Sequence, residues 1–493
     1  MKKQTNKLFD LIKNLTKNEK RFFKLYSNFY NQDKDKNYLI LFDILEGLKS
    51  YDEKIILAHI SKQIHSKNIS QIKTYLKKHI FLSLKLFHRN NIETVQHYDS
   101  LALASMLIER KEFVEATKLL SKMQKNAESN NNFQTLSEIN FLILKTNSLQ
   151  STLEESSYKK SLEVASKLDE SLQAHHSKIK IYALFMELRL LIETLPSIHP
   201  LSEQKINHFV ENKLLPIDYS ILPDIKSKTA YLQSLLIAYN YLGKYDELLL
   251  YSKKVVDLIE NNSGILFKAE FCFYYTWLMQ AYAMKKEKAA LFEVDKKYSD
   301  LVEQNPSLQE FLDGRILPLC FYYRLCPELP LPPFFEQLIS EYFKNQFEKA
   351  DKDVCISTCN NVAQVYFCRK RFEEVQQTLD RYLLKHNLST NNENYIPIIL
   401  LNILCYIELN NSTFAQRELT NIKRKLKRQE IFHPTIETII KQISNIIQQQ
   451  NKSFKPDAYK KLIQVFEDNK GRKFFDFNIQ FLKIWAVEKL QQS

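Results

Sequence analysis

Glycine is nearly absent from this chain. Five residues in 493 are glycine, at Gly47, Gly243, Gly264, Gly314 and Gly471, where average usage is roughly 7%. Tight strand turns and phosphate-cradling loops draw on glycine, because it alone accepts positive φ and close backbone approach without a steric penalty. A sequence this poor in glycine has few places for such loops. Helices joined by short polar turns need it least, so the chain is expected to be all-α. The composition, 44% hydrophobic and 26% charged, is that of a folded chain rather than a disordered one.

Hydrophobic spacing points the same way. Leu8, Leu11, Ile12 and Leu15 fall at i, i+3, i+4 and i+7, one face of a helix. Thr16-Lys17-Asn18-Glu19 has the capping-box pattern and opens a second helix, expected to carry Phe22, Leu25, Tyr26, Phe29 and Tyr30 on its apolar face. Further helices are expected over residues 38–48, 52–60 and 69–87. The last is apolar on most sides in its second half and is expected to be buried all round. Together these make a basic N-terminal helical domain, residues 1–98.

Beyond it the pattern becomes pairs of helices. In residues 235–262 one helix closes at Tyr241-Leu242, Gly243-Lys244 turns the chain, and Tyr245-Asp246-Glu247 opens a return helix that stops at Asn261-Asn262. This stretch resembles a tetratricopeptide repeat, with Tyr239 as the aromatic of the first helix, Gly243 at the turn and Tyr245 as the packing aromatic. Weaker copies place Phe113, Tyr282, Tyr366, Phe372 and Phe414 in the corresponding packing roles. Phe113 to Tyr245 is 132 residues and Tyr245 to Phe372 is 127, each close to the roughly 136 that four 34-residue repeats need. The resemblance implies an α-solenoid of antiparallel helix pairs over residues 99–316 and 334–450. Pro318, Pro327, Pro330, Pro332 and Pro333 are expected to exclude a continuous helix, which makes 317–333 a corner or hinge. A second corner is expected around 196–223. Residues 451–493 read as capping helices with Phe481 and Trp485 turned inward.

No motif for chemistry emerges. GxGxxG, P-loop, GxSxG and HExxH patterns are all missing from the sequence, so no catalytic residue, cofactor or enzymatic activity is expected. Cys355 and Cys359 are four apart on one helical face, with Cys368 beyond, but no nearby histidine completes a metal set, and core thiols are the expectation. The adjacent His175 and His176 suit a solvated face. Seven cysteines with no C-x-x-C pair suggest reduced thiols and a cytoplasmic setting. Asp10 and Lys13 break any apolar core behind Met1-Lys2-Lys3, and the longest apolar run, near 395–407, falls short of the roughly 20 residues of a bilayer span. No membrane segment is expected.

The net charge of +13 is unevenly placed. Residues 1–100 hold 19 basic and 10 acidic residues, net +9; residues 401–493 hold 16 and 9, net +7; the span between is net −3. Lys73, Lys77 and Lys78 would face DNA if residues 52–62 and 69–87 formed a helix-turn-helix. Lys423, Arg424, Lys425, Lys427 and Arg428 form the densest basic run. These eight are the candidate contacts for an anionic partner, against the simpler reading of solvated helix faces. The resemblance implies a non-catalytic intracellular scaffold or adaptor whose superhelix holds a protein or peptide. The alternative is a bacterial regulator with a nucleic-acid-binding N-terminal domain and a repeat sensor domain.

Overall fold

The computed structural model describes residues 7–30, 37–53, 56, 69–89, 92–150, 155–194, 200–262, 268–347, 350–383, 394–428, 434–449, 456–470, 472 and 474–492. Among these residues the chain is all-helical and contains no strand. It divides into two compact units, Met1–His175 and His176–Ser493.

The first unit opens with α1 (Lys7–Asn14), α2 (Lys17–Tyr30), α3 (Asn37–Gly47) and α4 (Ile69–Phe87). The capping box forms: the Thr16 N–H donates to Glu19 Oε2 at 2.7 Å, and the Glu19 N–H donates back to Thr16 Oγ1 at 3.3 Å. Ile12, Phe23, Leu41, Phe42, Leu76 and Ile80 build a fully buried core. The expected inner face of α2 is corrected here. Tyr26 is buried as expected, and Phe23 and Ser27 point into the core with it, while Leu25 is 59% and Phe29 79% exposed. It is α3 that takes up the Phe23 side, its Tyr38 and Phe42 rings lying 6.5 and 4.6 Å from that of Phe23, while Phe22 packs on Phe87 at the end of α4 at 5.3 Å. Nor is α4 buried all round, since Tyr75, Phe81 and Leu82 face solvent. The helix expected over 52–60, and with it the first half of the helix-turn-helix, lies almost wholly outside the described residues.

Three more helices, α5 (Glu93–Glu109), α6 (Phe113–Ser129) and α7 (Phe133–Leu149), close a separate core on Ala104, Ala116, Leu120, Ala127 and Ile139. Lys85 and Arg89 reach Asp99 on α5 at 3.2 and 2.9 Å, so residue 98 lies inside the first unit. The 40-residue α8 (Glu155–Thr194) follows, with His175 half-buried and His176 exposed.

The second unit contains α9 (Pro200–Phe209), a π-helical turn at Val210–Leu214 and a 3-10 turn at Tyr219–Ile221. Helix pairs follow: α10 (Ile225–Leu242) with α11 (Tyr245–Glu260), α12 (Lys268–Met284) with α13 (Lys288–Glu303), α14 (Leu312–Leu325) with α15 (Pro333–Asn345), α16 (Lys352–Phe367) with α17 (Phe372–Leu383), α18 (Tyr395–Glu408) with α19 (Ser412–Arg428), and α20 (Pro434–Gln449) with α21 (Asp457–Glu467). The two helices of each pair pack together, and the first helices α12, α14, α16 and α18 also pack on one another in sequence. A π-helical turn at Phe474–Asn478 leads into α22 (Gln480–Gln491), in which Phe481 and Trp485 are buried as expected.

One turn recurs between these helices. Lys111, Asn131, Gly243, Lys286, Lys370 and Asn410 all adopt positive φ, between 49° and 68°. At each, the left-handed residue donates its N–H to the carbonyl three back, and the next residue donates to the carbonyl five before itself, as in Gly243 to Asn240 at 3.3 Å and Lys244 to Tyr239 at 3.0 Å. This is the Schellman closure of a helix. In the second unit the turns are 43, 84 and 40 residues apart, so one helix pair occupies about 42 residues. The 127 residues from Tyr245 to Phe372 therefore hold three intervals and not four of 34. The register also corrects Phe414. The return helix starts at Ser412, two after the turn residue, so Phe414 points outward, 46% exposed, and stacks on Tyr406 at 5.7 Å. Phe113, Tyr245 and Phe372 do sit two after their turn residues, half-buried, while Tyr239 and Tyr366 are buried and Tyr282 is half-buried.

The proline corner is narrower than expected. Helix α14 runs through Pro318 to Leu325. One missing N–H costs a single backbone bond, and the helix buries Ile316, Leu319, Cys320 and Phe321 around it. The break is confined to 326–332, where the Arg369 guanidinium donates to the carbonyls of Cys326 (3.4 Å) and Leu329 (2.9 Å). Pro333 takes the first position of α15, where its missing N–H is harmless.

Two predictions follow from backbone geometry. Lysine in the left-handed region carries a steric cost that glycine lacks, so Lys286→Gly is expected to raise stability in urea titration by about 0.5–1 kcal/mol, while Gly243→Ala lowers it by a similar amount. Gly314 is held by close approach instead. A methyl group there would lie 2.6 Å from Thr276 Oγ1 and 2.8 Å from the hydroxyl of fully buried Tyr298, which donates to the Phe311 carbonyl at 2.5 Å. Gly314→Ala is expected to cost about 2–3 kcal/mol by the same measurement.

Candidate functional site

The expected basic contacts lie on ordinary helix surfaces. Lys73 pairs with Glu53 at 3.6 Å, Lys77 lies over the Phe81 ring at 5.6 Å, and Lys78 is exposed. On α19, Ala415, Leu419, Ile422 and Leu426 are buried at i, i+4, i+7 and i+11. That spacing turns Arg424 and Lys425 outward, with Lys423 half-buried and Lys425 over the Tyr395 ring at 5.6 Å. Lys427 and Arg428 belong to the last turn of α19, and their side chains lie outside the described ones. The run therefore behaves as the solvated face of an amphipathic helix.

Another basic site, not singled out by sequence reasoning, lies on α2. Lys17, Lys20, Arg21, Lys24, Leu25 and Asn28 line a cleft of about 540 Å³ with one carboxylate, Glu46 of α3. Lys24 Nζ is 2.8 Å from both Asp43 and Glu46, Lys20 is 3.9 Å from Glu46, and Lys13 donates to the Glu46 carbonyl at 2.6 Å. The hydrogen bond to Asp43, then that to Glu46, push the Lys24 pKa up. Lys17 and Arg21 stand one helical turn apart on the exposed side. At the same helix Glu19 is held below the usual carboxylate range by its 2.7 Å bond with His88 and by the Thr16 N–H, which anchors α2 to the end of α4. The 3–4 residue spacing of Lys17, Lys20, Arg21 and Lys24 was the available signal. Glu46, from another helix, was not.

The second unit carries a different surface. Counted back from the turn residues, Gln280 and Gln364 share one register position; Met284, Cys368 and Glu408 share another. On α16 and α18 this side is covered by the segment from Phe474 to Gln491. Gln364 Nε2 donates to the Asn478 carbonyl at 3.3 Å, the rings of Phe367 and Phe481 lie 5.8 Å apart, and Glu408 accepts from Trp485 Nε1 at 2.7 Å and from Lys489 Nζ at 2.9 Å. A cleft of about 230 Å³ remains along the contact, bounded by Phe372, Glu408, Trp485 and Lys489. On α12 the same side carries Phe273, 39% exposed, edge-to-face with half-buried Trp277 at 6.2 Å, and Gln280, which donates to Asn240 on α10 at 2.7 Å.

Buried groups inside the second unit serve packing. Arg324 of α14 donates to Gln364 Oε1 at 2.6 Å and to Asn361 Oδ1 at 3.4 Å; Gln364 in turn donates to Asn360, which donates to Asn394 at 2.9 Å. Burial pulls the Arg324 pKa down to about 10, so the guanidinium stays charged near neutral pH. Asp295 accepts two bonds from Arg315, at 2.6 and 2.9 Å. Burial pushes the thiols of Cys272, Cys320, Cys326, Cys355, Cys368 and Cys405 up, away from the thiolate that reactivity and metal binding require. The Cys355 thiol donates to the Phe347 carbonyl at 3.2 Å. Among the described residues no group of three or more His, Cys, Asp or Glu could hold a metal, and no helix is long and apolar enough to cross a membrane.

Comparison with protein-family models, curated proteins and solved structures gives no match for this chain.

Glu408 holds α22 through two donors from a mostly buried position. Glu408→Ala leaves the Trp485 N–H and the Lys489 ammonium without their acceptor. It is expected to destabilise the second unit by about 1–3 kcal/mol and to shift Trp485 emission to the red, read by fluorescence-monitored denaturation.

Proposed function

We propose that this chain is a non-catalytic binding protein whose second unit stacks antiparallel helix pairs as an α-solenoid, similar in plan to tetratricopeptide arrays but with a longer, 42-residue unit, and holds a protein partner on the side formed by its first helices. The observation that carries this reading is the recurring left-handed turn joining paired helices, with α12, α14, α16 and α18 packed in a row. Arrays of this kind present extended surfaces built from one register position of each unit. The chain's own α22 occupies that side on α16 and α18 through Phe481, Trp485 and Lys489. The corresponding stretch on α12, with Phe273 and Trp277, offers exposed aromatic surface of the type that anchors protein interfaces.

The test is capture on the tagged full-length chain from its native host, with nuclease present, compared with a Phe273→Ala/Trp277→Ala variant of unchanged helicity. A discrete protein retained by the parent and depleted at least tenfold by the double variant is the expected result. Equal recovery by both chains would move the site elsewhere, and the absence of any discrete protein surviving the nuclease would overturn the reading. A second reading, a bacterial regulator that holds nucleic acid through its N-terminal helices, is favoured by one observation, the gathering of cations on α2 around two carboxylates, Glu46 and Asp43.

A further inference from the structure

We infer that the cleft of α2 is a binding site for single-stranded nucleic acid, entered by the phosphodiester backbone; this rests on the second reading above and gives it a location and a ligand class. The charge balance is the first argument. Lys17, Lys20, Arg21 and Lys24 line the cleft, with Lys13 beside it, and the acidic groups facing them are Glu46 and Asp43. The two carboxylates are engaged by Lys24 and Lys20 at the base, which leaves the exposed ends of Lys17 and Arg21 directed outward at the rim. Cations arranged in this way neutralise phosphates and release their counterions, the main source of affinity for a nucleic-acid backbone.

Shape and apolar content select the kind of polyanion. The site is a shallow depression that follows one helix for three turns, a line of cations about one strand wide. A membrane-binding helix lays a whole apolar face into lipid, but the apolar face of α2 is already committed to the core through Phe23 and Tyr26. What remains outside is Leu25 and the highly exposed ring of Phe29, one and two turns beyond Arg21. Basic residues in line with an exposed aromatic are the elements that hold unpaired strands, the cations tracking phosphate and the ring stacking on a base.

The experiment is fluorescence anisotropy of the full-length chain with labelled 20-nucleotide oligo(dT) and oligo(rU), from 50 to 200 mM salt. A hairpin duplex and vesicles of anionic lipid serve as competitors. Lys17→Glu/Arg21→Glu is expected to weaken oligonucleotide binding by about twentyfold at 50 mM salt, and Lys17→Gln/Arg21→Gln to reduce the salt slope by about 1.4, two contacts at about 0.7 each for a single strand. Lys118→Glu/Lys122→Glu, an equal charge change at exposed positions of α6, is expected to bind within about twofold of the parent. Equal loss in that control, or full binding by the cleft variants, would overturn the site while leaving nucleic-acid binding elsewhere on the chain standing. No binding of either oligonucleotide at 50 mM salt would overturn both, and displacement of bound oligonucleotide by the hairpin duplex or by anionic vesicles as readily as by unlabelled single strand would overturn the ligand class.

Discussion

The turn between paired helices is the constraint from which the second unit is built. In four of the pairs the first helix closes its last carbonyls within about two residues and the next helix packs back on it. The Schellman closure does this with one left-handed residue, and here the chain mostly spends lysine or asparagine where glycine would be easiest. Asparagine tolerates that region well; lysine does so only because packing on both sides of the turn fixes the backbone. The closure is the same after α10, α12, α16 and α18, at residues 243, 286, 370 and 410. Their side chains then fall into common register positions, and the row α12–α14–α16–α18 can form.

Within that row, α16 is buried along most of its length, and its polar residues have to find partners in the interior. Asn360, Asn361 and Gln364 do so with Arg324, Asn394 and the Asn478 carbonyl. A buried guanidinium is costly to desolvate, and its place is fixed by amides whose geometry admits few alternatives. The network therefore sets how α14, α16 and the Phe474–Asn478 turn fit together, while the apolar core around Val362, Ala363 and Val365 supplies the driving force.

Local structure was readable from the sequence and tertiary choices were not. Gly243-Lys244, Lys285-Lys286-Glu287, Lys370-Arg371 and Asn410-Asn411 announced themselves as turns because polar runs interrupt apolar periodicity, and the helices on either side end within a residue or two of expectation. The faces went astray where the helix had two apolar options. In α2, Leu25 and Phe29 share the spacing of Tyr26, yet the packing of α3 and α4 takes in Tyr26 with Phe23 and leaves the other two outside. The unit length was misjudged because 127 residues lies close to both three long pairs and four short ones. The α2 cleft escaped because lysines at helical spacing look like any solvated face until Glu46, more than twenty residues away, is brought among them. The Lys423–Arg428 run was conspicuous in sequence, yet α19 simply turns Arg424 and Lys425 to solvent.

The return of the Phe474–Gln491 segment to α16 and α18 changes what kind of folding unit this is. In a linear array each pair touches its neighbours alone, so ends fray and the middle melts in stages. Here Gln364 is tied to Asn478, and Glu408 to Trp485 and Lys489, across 114, 77 and 81 residues of chain. Such contacts raise the mean sequence separation of the fold, which slows its formation relative to a helical array of purely local contacts. They also make the pairs between them lose their structure together, so that the array melts as a block rather than one pair at a time.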